Sequence, residues 1–199
     1  MKPTASILAA AALLGVASIA SAEGPTSQYT STKEKDCRTA EKSKPKEQMP
    51  WVAQSCKGVG GFVVRIFDVD ERQTLSFGKT LKAAAKEPAA NEGFGPFNHV
   101  GDTLEWRLRD GKPFATVMRW FVADNDDTTT DGRPKDKPIL VVSRLSPACR
   151  VAYIDAGANP DANELARKAA DEKTATFTCG KDEATIVGKP GRGTELAKP

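Results

Sequence analysis

The sequence predicts a mainly β fold of the α+β class, an antiparallel β-sandwich or small barrel with one C-terminal α-helix packed on it. Three observations favour this class. Short runs rich in β-branched and aromatic residues recur through the middle of the chain, one pair of them is joined by Asp110-Gly111, and one stretch near the C-terminus has convincing helical periodicity. The 199 residues suffice for a single domain with a sizeable core.

Residues 1–22 have the layout of a secretory signal peptide. Lys2 gives a basic start, residues 7–19 are almost wholly small and apolar, and residues 20–22 (Ala-Ser-Ala) offer a small-residue cleavage site. The apolar run is too short to span a bilayer, and no later segment approaches the roughly 20 apolar residues that a span needs. We therefore expect cleavage behind Ala22, a periplasmic or secreted protein, and no membrane span.

Both segments that flank the expected domain are polar. Residues 23–36 and 180–199 are rich in Gly, Pro, Lys and Thr. Such segments do not bury enough apolar surface to offset the entropy that is lost when they become ordered. We therefore expect both to be disordered, and we expect one β-rich domain over residues 37–179.

The four cysteines lie within that domain, two of them at its ends. An even number of cysteines is typical of a compartment in which disulfides persist, and four cysteines allow three pairings. Local pairing, Cys37 with Cys56 and Cys149 with Cys179, is preferred because each closed loop then holds one supersecondary unit.

The strands follow from residue type and alternation. Residues 103–109 alternate strictly and are separated from the next strand-like run by Asp110-Gly111, a pattern that predicts a tight hairpin with Arg107 opposite Phe114. One face of this hairpin then carries two aromatic side chains beside charged ones, so it is either covered by another element or used for binding. The remaining strands are expected over 62–69, 72–77, 112–122, 138–145 and 149–155.

The expected helix begins after Ala156-Gly157. Asn159 is a suitable N-cap, and Pro160 suits the first helical position. The helix has a narrow apolar stripe that allows close approach to a sheet, made by Ala162, Leu165, Ala166, Ala169 and Ala170.

The net charge of the chain argues against nucleic acids and anionic membranes as partners. The formal charge is +3, or about +2 once Lys2 is removed, with both signs interspersed along the chain. Nucleic acids and anionic membrane surfaces are bound by concentrated positive charge, which this chain lacks. Neither is therefore an expected partner.

His99 is the single histidine and lies in a Gly- and Pro-rich loop before a strand. A hydrolase that uses His99 with Asp102 is conceivable, but no Gly-x-Ser-x-Gly motif accompanies it, so a structural histidine is favoured. No metal site is expected, because a second histidine is missing and the acidic loop 124–132 leads to Pro138 where an EF-hand requires Glu. No cofactor is expected either.

Several blocks of sequence together resemble a known group of proteins. The blocks are Trp51-x4-Cys56-x-Gly58-x2-Gly61, Asp70-x-Arg72, Phe77-Gly78, LEWRLRDGKPFATVMRW and VAYIDAGANPDANELAR. As a set they resemble uncharacterised exported proteins of rhizobial-type α-proteobacteria, which implies a Gram-negative periplasmic setting.

A second, weaker resemblance is to periplasmic inhibitors of c-type lysozyme. Trp51, Cys56, Gly58 and the strand 62–67 are similar to the opening of those small β-barrels. The chain lacks a Ser-Gly-x-x-Tyr inhibitory loop, and its near-neutral charge does not complement a basic lysozyme.

From these observations we expect a non-catalytic periplasmic or secreted protein, either an envelope-accessory protein or one that binds a small ligand or another periplasmic protein. Inhibition of c-type lysozyme and hydrolysis through His99 stay open as alternatives. Aromatic side chains beside arginine are typical of recognition surfaces. The candidate binding residues are therefore Arg107, Phe114, Arg119, Trp120, Phe97 and His99.

Overall fold

The computed structural model describes residues 24–197, so the expected signal peptide and its cleavage site lie outside the described residues. The strands are β1 Thr26–Ser31, β2 Cys37–Lys42, β3 Trp51–Lys57, β4 Val63–Val69, β5 Arg72–Gly78, β6 Asn98–Arg109, β7 Lys112–Thr128, β8 Pro134–Arg144, β9 Cys149–Asp155 and β10 Thr185–Ile186. The helices are α1 Leu81–Ala84, α2 Ala162–Lys173 and α3 Arg192–Leu196, with 3-10 turns at Glu34–Asp36 and Pro88–Asn91.

The ten described strands belong to one sheet, in the order β10-β9-β8-β7-β6-β5-β4-β3-β2, with β1 paired beside β6. Neighbours are antiparallel, except that β10 runs parallel to β9 and that β5 meets β6 in parallel at Arg72 and Asn98. The predicted mainly β fold with a helix packed near its C-terminus is confirmed. Because β2 and β10 end the path unpaired with each other, the sheet is not a closed barrel.

The sheet has an apolar core on each face. The inner core lies where β4 and β5 curve over β6–β8, and Trp106 is fully buried in it, with ring centroids 5.9 Å from Phe62 and 5.7 Å from Phe77. The outer core lies between β7–β9 and α2. Burying each large side chain contributes roughly 1.5–3 kcal/mol, so these two cores account for most of the favourable burial.

The hairpin predicted at Asp110-Gly111 is confirmed. Both turn residues have positive φ, +51° for Asp110 and +71° for Gly111, as the type I′ turn that matches the twist of paired strands requires. Arg109 pairs with Lys112 across the turn, as the sequence predicts.

The register beyond that turn differs by one residue from the prediction. A β-bulge leaves Phe114 as the extra residue, so Arg107 lies opposite Ala115 instead. Because side chains alternate between faces, this shift directs Trp120 into the inner core, whereas Ala115 and Val117 pack toward α2. The face that was expected to be covered or used for binding is therefore covered.

The expectation of disorder does not hold for residues 26–31, which form β1. β5 pairs with β6 only at Arg72 and Asn98, so the rest of that edge of β6 is not paired with β5. There β1 pairs with β6 along its full length. The Thr30 hydroxyl on β1 accepts a 2.8 Å hydrogen bond from the buried Trp106 indole. Backbone pairing satisfies the donors of β6 without large apolar side chains, which is why composition did not indicate this strand.

Residues 180–197, also expected to be disordered, are tied to the sheet. The buried Asn159 amide donates to the Lys189 carbonyl at 2.7 Å and accepts from the Lys189 N–H at 2.8 Å. Arg192, at the start of α3, donates to both oxygens of the buried Asp124 carboxylate at 2.8 and 2.7 Å. Side-chain polar contacts rather than apolar burial therefore order this segment.

The predicted C-terminal helix is α2, and its alanines are buried against β7–β9 as expected. Its N-cap is Asp161, which makes no side-chain capping bond, and not Asn159. The Asn159 side chain is engaged by the backbone of Asp155 and Lys189, so it secures the following segment instead of the helix end.

The preferred disulfide pairing is confirmed. Cys37 bonds to Cys56, which is its direct cross-strand neighbour, and Cys149 bonds to Cys179. Two disulfides are typical of a protein that folds in an oxidising compartment. Within residues 24–197, none of the helices has the length and apolar character needed to cross a membrane.

Candidate functional site

Two of the candidate binding residues, Trp120 and Arg107, are buried and do not form part of an exposed binding surface. Trp120 is 1% exposed and packs edge-on against Phe94, with ring centroids 5.1 Å apart. The Arg107 guanidinium donates to both carboxylate oxygens of Asp171 on α2 at 2.9 and 2.6 Å, and to the Ser27 hydroxyl on β1 at 2.5 Å. Arg107 therefore joins three elements, which corrects its assignment to a binding face.

Phe114 and Arg119 lie beside α2 rather than at a shared recognition surface. Phe114 is half-buried against the outer core, and the Arg109 guanidinium covers its ring at 4.6 Å. Arg119 is half-buried and reaches Asn163 on α2 at 3.4 Å. The β-bulge turns Phe114 to the outer face, and ordinary alternation along β7 puts Arg119 on the face opposite to Trp120.

Phe97 and His99 are exposed at the start of β6, on the rim of shallow grooves. Phe97 is 39% exposed and is covered on one face by the Arg72 guanidinium at 4.6 Å. The His99 ring stacks on Phe121, with centroids 5.0 Å apart and planes 18° apart. Neither ring nitrogen of His99 hydrogen-bonds to a described residue, so the geometry supplies no acid–base partner for the hydrolase alternative.

A cleft of about 720 Å³ lies elsewhere, between β9, the loop after Pro88–Asn91 and the segment that follows α2. Its volume falls in the range of small-ligand sites. It is lined by Asn91, Glu92, Gly93, Cys149, Arg150, Tyr153, Phe177, Gly180, Asp182, Glu183, Ala184 and Ala197.

A β-bulge in β9 places Arg150 in this cleft. Tyr153 pairs with Val141 of the inner core, and an unbroken alternation would direct Arg150 to the opposite face, toward α2. The register shift adds Val151 as an extra residue, so that Arg150 is paired with Ser143 and returns to the inner face beside Tyr153. Bulges that re-aim one side chain are common beside functional sites.

The Arg150 side chain is only 6% exposed and lies between aromatic rings. Its guanidinium carbon is 4.0 Å from the centroid of Phe94 and 5.1 Å from that of Trp120. Stacking of this kind stabilises a cation and fixes the plane of the guanidinium. Burial lowers the pKa of the Arg150 guanidinium from its ordinary value, and the neighbouring Tyr153 and Glu92 oppose that effect.

The hydrogen bonds of the Arg150 guanidinium are incomplete. Nη1 donates to the Gly93 carbonyl at 3.2 Å, and Nε lies 3.9 Å from Glu92 Oε2, which is beyond hydrogen-bond distance. The buried Nη2 has no acceptor among the described residues at hydrogen-bond distance and angle, although the Tyr153 hydroxyl lies near enough to oppose the lowering of the Arg150 pKa, and Nε1 of the adjacent Trp120 has no acceptor there either. Unpartnered buried donors are uncommon, and one on a charged group is especially costly.

Three carboxylates share the cleft with this single guanidinium. Glu92 accepts a 2.8 Å hydrogen bond from the backbone N–H of Arg150, and burial raises the pKa of the Glu92 carboxyl despite that bond and the charge of Arg150. Asp182 and Glu183 are exposed at the opposite wall, where Asp182 accepts from the Thr178 N–H at 2.7 Å. The described lining therefore places one buried cation at the floor and negative charge at the rim.

The sequence carries only a misleading signal for this site. In the run CRVAYID, strict alternation groups Arg150 with Ala152 and Ile154, which are outer-core residues. A bulge depends on partner strands that are distant in sequence, so the position of Arg150 beside Tyr153 could not be found from the pattern alone.

Comparison of the chain with protein-family models, curated proteins and solved structures finds no match. The resemblances to exported α-proteobacterial proteins and to lysozyme inhibitors therefore stay predictions, and the function is argued from the geometry of the chain.

Proposed function

We propose that this is a non-catalytic periplasmic or secreted binding protein, exported by cleavage behind Ala22, whose ligand is a small molecule with an anionic group. The observation that carries the proposal is the buried Arg150 guanidinium at the floor of the cleft, whose Nη2 has no acceptor within residues 24–197. A ligand oxygen at the floor would supply the missing hydrogen bond in a desolvated setting, where charge-assisted bonds are strongest.

The surroundings of Arg150 support a site that exists before the ligand binds. Phe94 and Trp120 fix the guanidinium plane, and Gly93 holds Nη1. Cys149, the residue before Arg150, anchors the opposite wall through its disulfide to Cys179. A site held in this way loses little conformational entropy on binding. The signal-like leader and the two disulfides support an oxidising location outside the cytoplasm.

The proposal is tested by thermal unfolding of the exported full chain with acetate, benzoate or leucine, each compared with chloride at equal ionic strength. At least one carboxylate is expected to raise the unfolding midpoint of the wild type, because a ligand that binds only the folded state stabilises it. Arg150→Met is expected to abolish the rise. Arg109→Met is the matched control, because Arg109 is an exposed arginine stacked on Phe114, outside the cleft, and it should retain the rise.

Two results would contradict the proposal. If none of the three carboxylates raises the midpoint of the wild type, the cleft is not an anion site. If the rise persists in Arg150→Met, the ligand binds elsewhere. Arg150→Lys distinguishes charge from geometry, since a lysine keeps the charge but cannot form the planar two-pronged contact.

A further inference from the structure

We infer that the ligand of the Arg150 cleft is a zwitterion, a free amino acid or short peptide whose carboxylate meets Arg150 and whose ammonium group meets the carboxylates of the opposite wall. This inference rests on the proposed function and adds the chemical class of the ligand. It comes from the charges that line the cleft within residues 24–197: Arg150 is the one basic residue, against Glu92, Asp182 and Glu183.

The charge pattern disfavours ligands of a single sign. A dianion would be attracted by Arg150 but repelled by Asp182 and Glu183, because Lys173 shares an adjoining groove with these two carboxylates but does not line the cleft itself. A simple cation would meet those carboxylates but would leave the Arg150 Nη2 without an acceptor and would be repelled by the guanidinium. A zwitterion carries one charge for each wall, a carboxylate for Arg150 and an ammonium group for Asp182 and Glu183.

Glu92, the third carboxylate of the cleft, lies on the Arg150 side and not on the wall that carries Asp182 and Glu183. It lies beside Arg150, accepting the backbone N–H at 2.8 Å with its nearest carboxylate oxygen 3.9 Å from Nε. Glu92 therefore partly neutralises the guanidinium, so that one ligand carboxylate suffices there. Asp182 and Glu183 are exposed and remain for an ammonium group.

Apolar surface lies between these polar ends. Phe177, Ala184 and Ala197 line the same cleft, and together with Tyr153 they offer a contact for an aliphatic side chain. A cleft of about 720 Å³ has room for an amino acid or a dipeptide. Leucine and the dipeptide Leu-Leu are therefore suitable probes, and comparing them distinguishes a free amino acid from a peptide.

The experiment is isothermal titration calorimetry of the exported full chain with four probes: leucine, Leu-Leu, 4-methylpentanoate, which lacks the ammonium group, and leucinamide, which lacks the carboxylate. Leucine or Leu-Leu is expected to bind about tenfold or more tightly than either truncated probe, because each truncation removes a charge-assisted hydrogen bond. Asp182→Asn combined with Glu183→Gln should weaken binding of the zwitterion about tenfold and leave 4-methylpentanoate unweakened. The control Glu164→Gln, on α2 at the other face, should leave every affinity unchanged.

The outcomes separate this inference from the proposed function. If 4-methylpentanoate binds as tightly as leucine and Leu-Leu, and Arg150→Met abolishes its binding, the zwitterion is wrong and the anion site stands. If leucinamide binds best, both are wrong. If none of the four probes binds, the zwitterion is wrong, and the response to acetate and benzoate in thermal unfolding decides whether the anion site stands. Circular dichroism of each variant excludes loss of folding as the cause of lost binding.

Discussion

Arg150 lines the cleft and packs on Trp120, which lies in the core behind it, yet the consequences of replacing these two neighbours differ. Trp120 fills the inner core and is 1% exposed, so removing it leaves a cavity. Arg150 is a buried cation with an unpartnered nitrogen, so removing it takes away a group that is costly to bury. The first residue contributes to folding, and the second is buried at a cost to folding that the proposed ligand binding would offset.

Trp120→Ala is expected to lower the free energy of unfolding by about 3–5 kcal/mol, the usual range for a large aromatic side chain removed from a core. Phe114→Ala, at a half-buried position, should cost less. Denaturant unfolding followed by far-ultraviolet circular dichroism measures both. A Trp120→Ala variant as stable as the wild type would contradict the contribution of this residue to the core.

At the scale of elements, the β7–β8 hairpin shows how its acidic loop is stabilised. Lys135 and Lys137 hydrogen-bond the two oxygens of the Asp127 carboxylate at 2.7 and 2.5 Å. These two hydrogen bonds lower the pKa of Asp127 from 3.8 to about 2, and the bond from Lys135 has the largest effect. Asp127, one of the acidic residues that suggested a calcium loop in the sequence, is thus paired with two lysines of the adjoining strand.

The pKa of Asp127 predicts a pH dependence. Because the folded-state pKa lies below the unfolded-state value, the stabilisation is fully present above about pH 4 and is lost as the pH falls toward 2. Asp127→Asn should therefore be less stable than the wild type at pH 6, and the difference should shrink to near zero at pH 2. Urea unfolding across this range measures it. In a variant that already carries Lys135→Met and Lys137→Met, the stability difference caused by Asp127→Asn should depend little on pH. If that difference depends on pH as strongly as it does in the wild type, another group is responsible for the effect.

How far the sequence predicts each element depends on whether the determining contacts are local. The turn at Asp110-Gly111 is set by two residues that adopt positive φ, so the hairpin could be predicted. The positions of β1 and of Arg150 depend on partners distant in the chain: an open side of β6 in one case, and a bulge against β8 in the other. Neither leaves a periodic signature, so both the extra strand and the candidate site were missed.

At the scale of the whole molecule, the two disulfides close loops of similar size but lie at different places relative to the cleft. Cys37–Cys56 spans 19 residues between neighbouring strands β2 and β3, and Cys149–Cys179 spans 30 residues and fixes the wall that carries Phe177 and Glu183. Loop-closure entropy assigns each about 3 kcal/mol of stabilisation. We therefore expect the two bonds to contribute similarly to stability but to differ in their effect on the proposed ligand binding.

Replacing both cysteines of one bond by alanine separates these contributions. Each double variant is expected to lose about 3 kcal/mol of unfolding free energy, measured by urea denaturation. Only Cys149→Ala with Cys179→Ala should also weaken ligand binding, because the wall opposite Arg150 is no longer held to β9 and must be ordered by the ligand itself. Cys37→Ala with Cys56→Ala is the matched control and should keep the wild-type affinity. Equal affinities in the two variants would mean that the hydrogen bonds of Asn159 and Arg192 to residues 180–197 are enough to hold the wall, and that the disulfide contributes to folding alone.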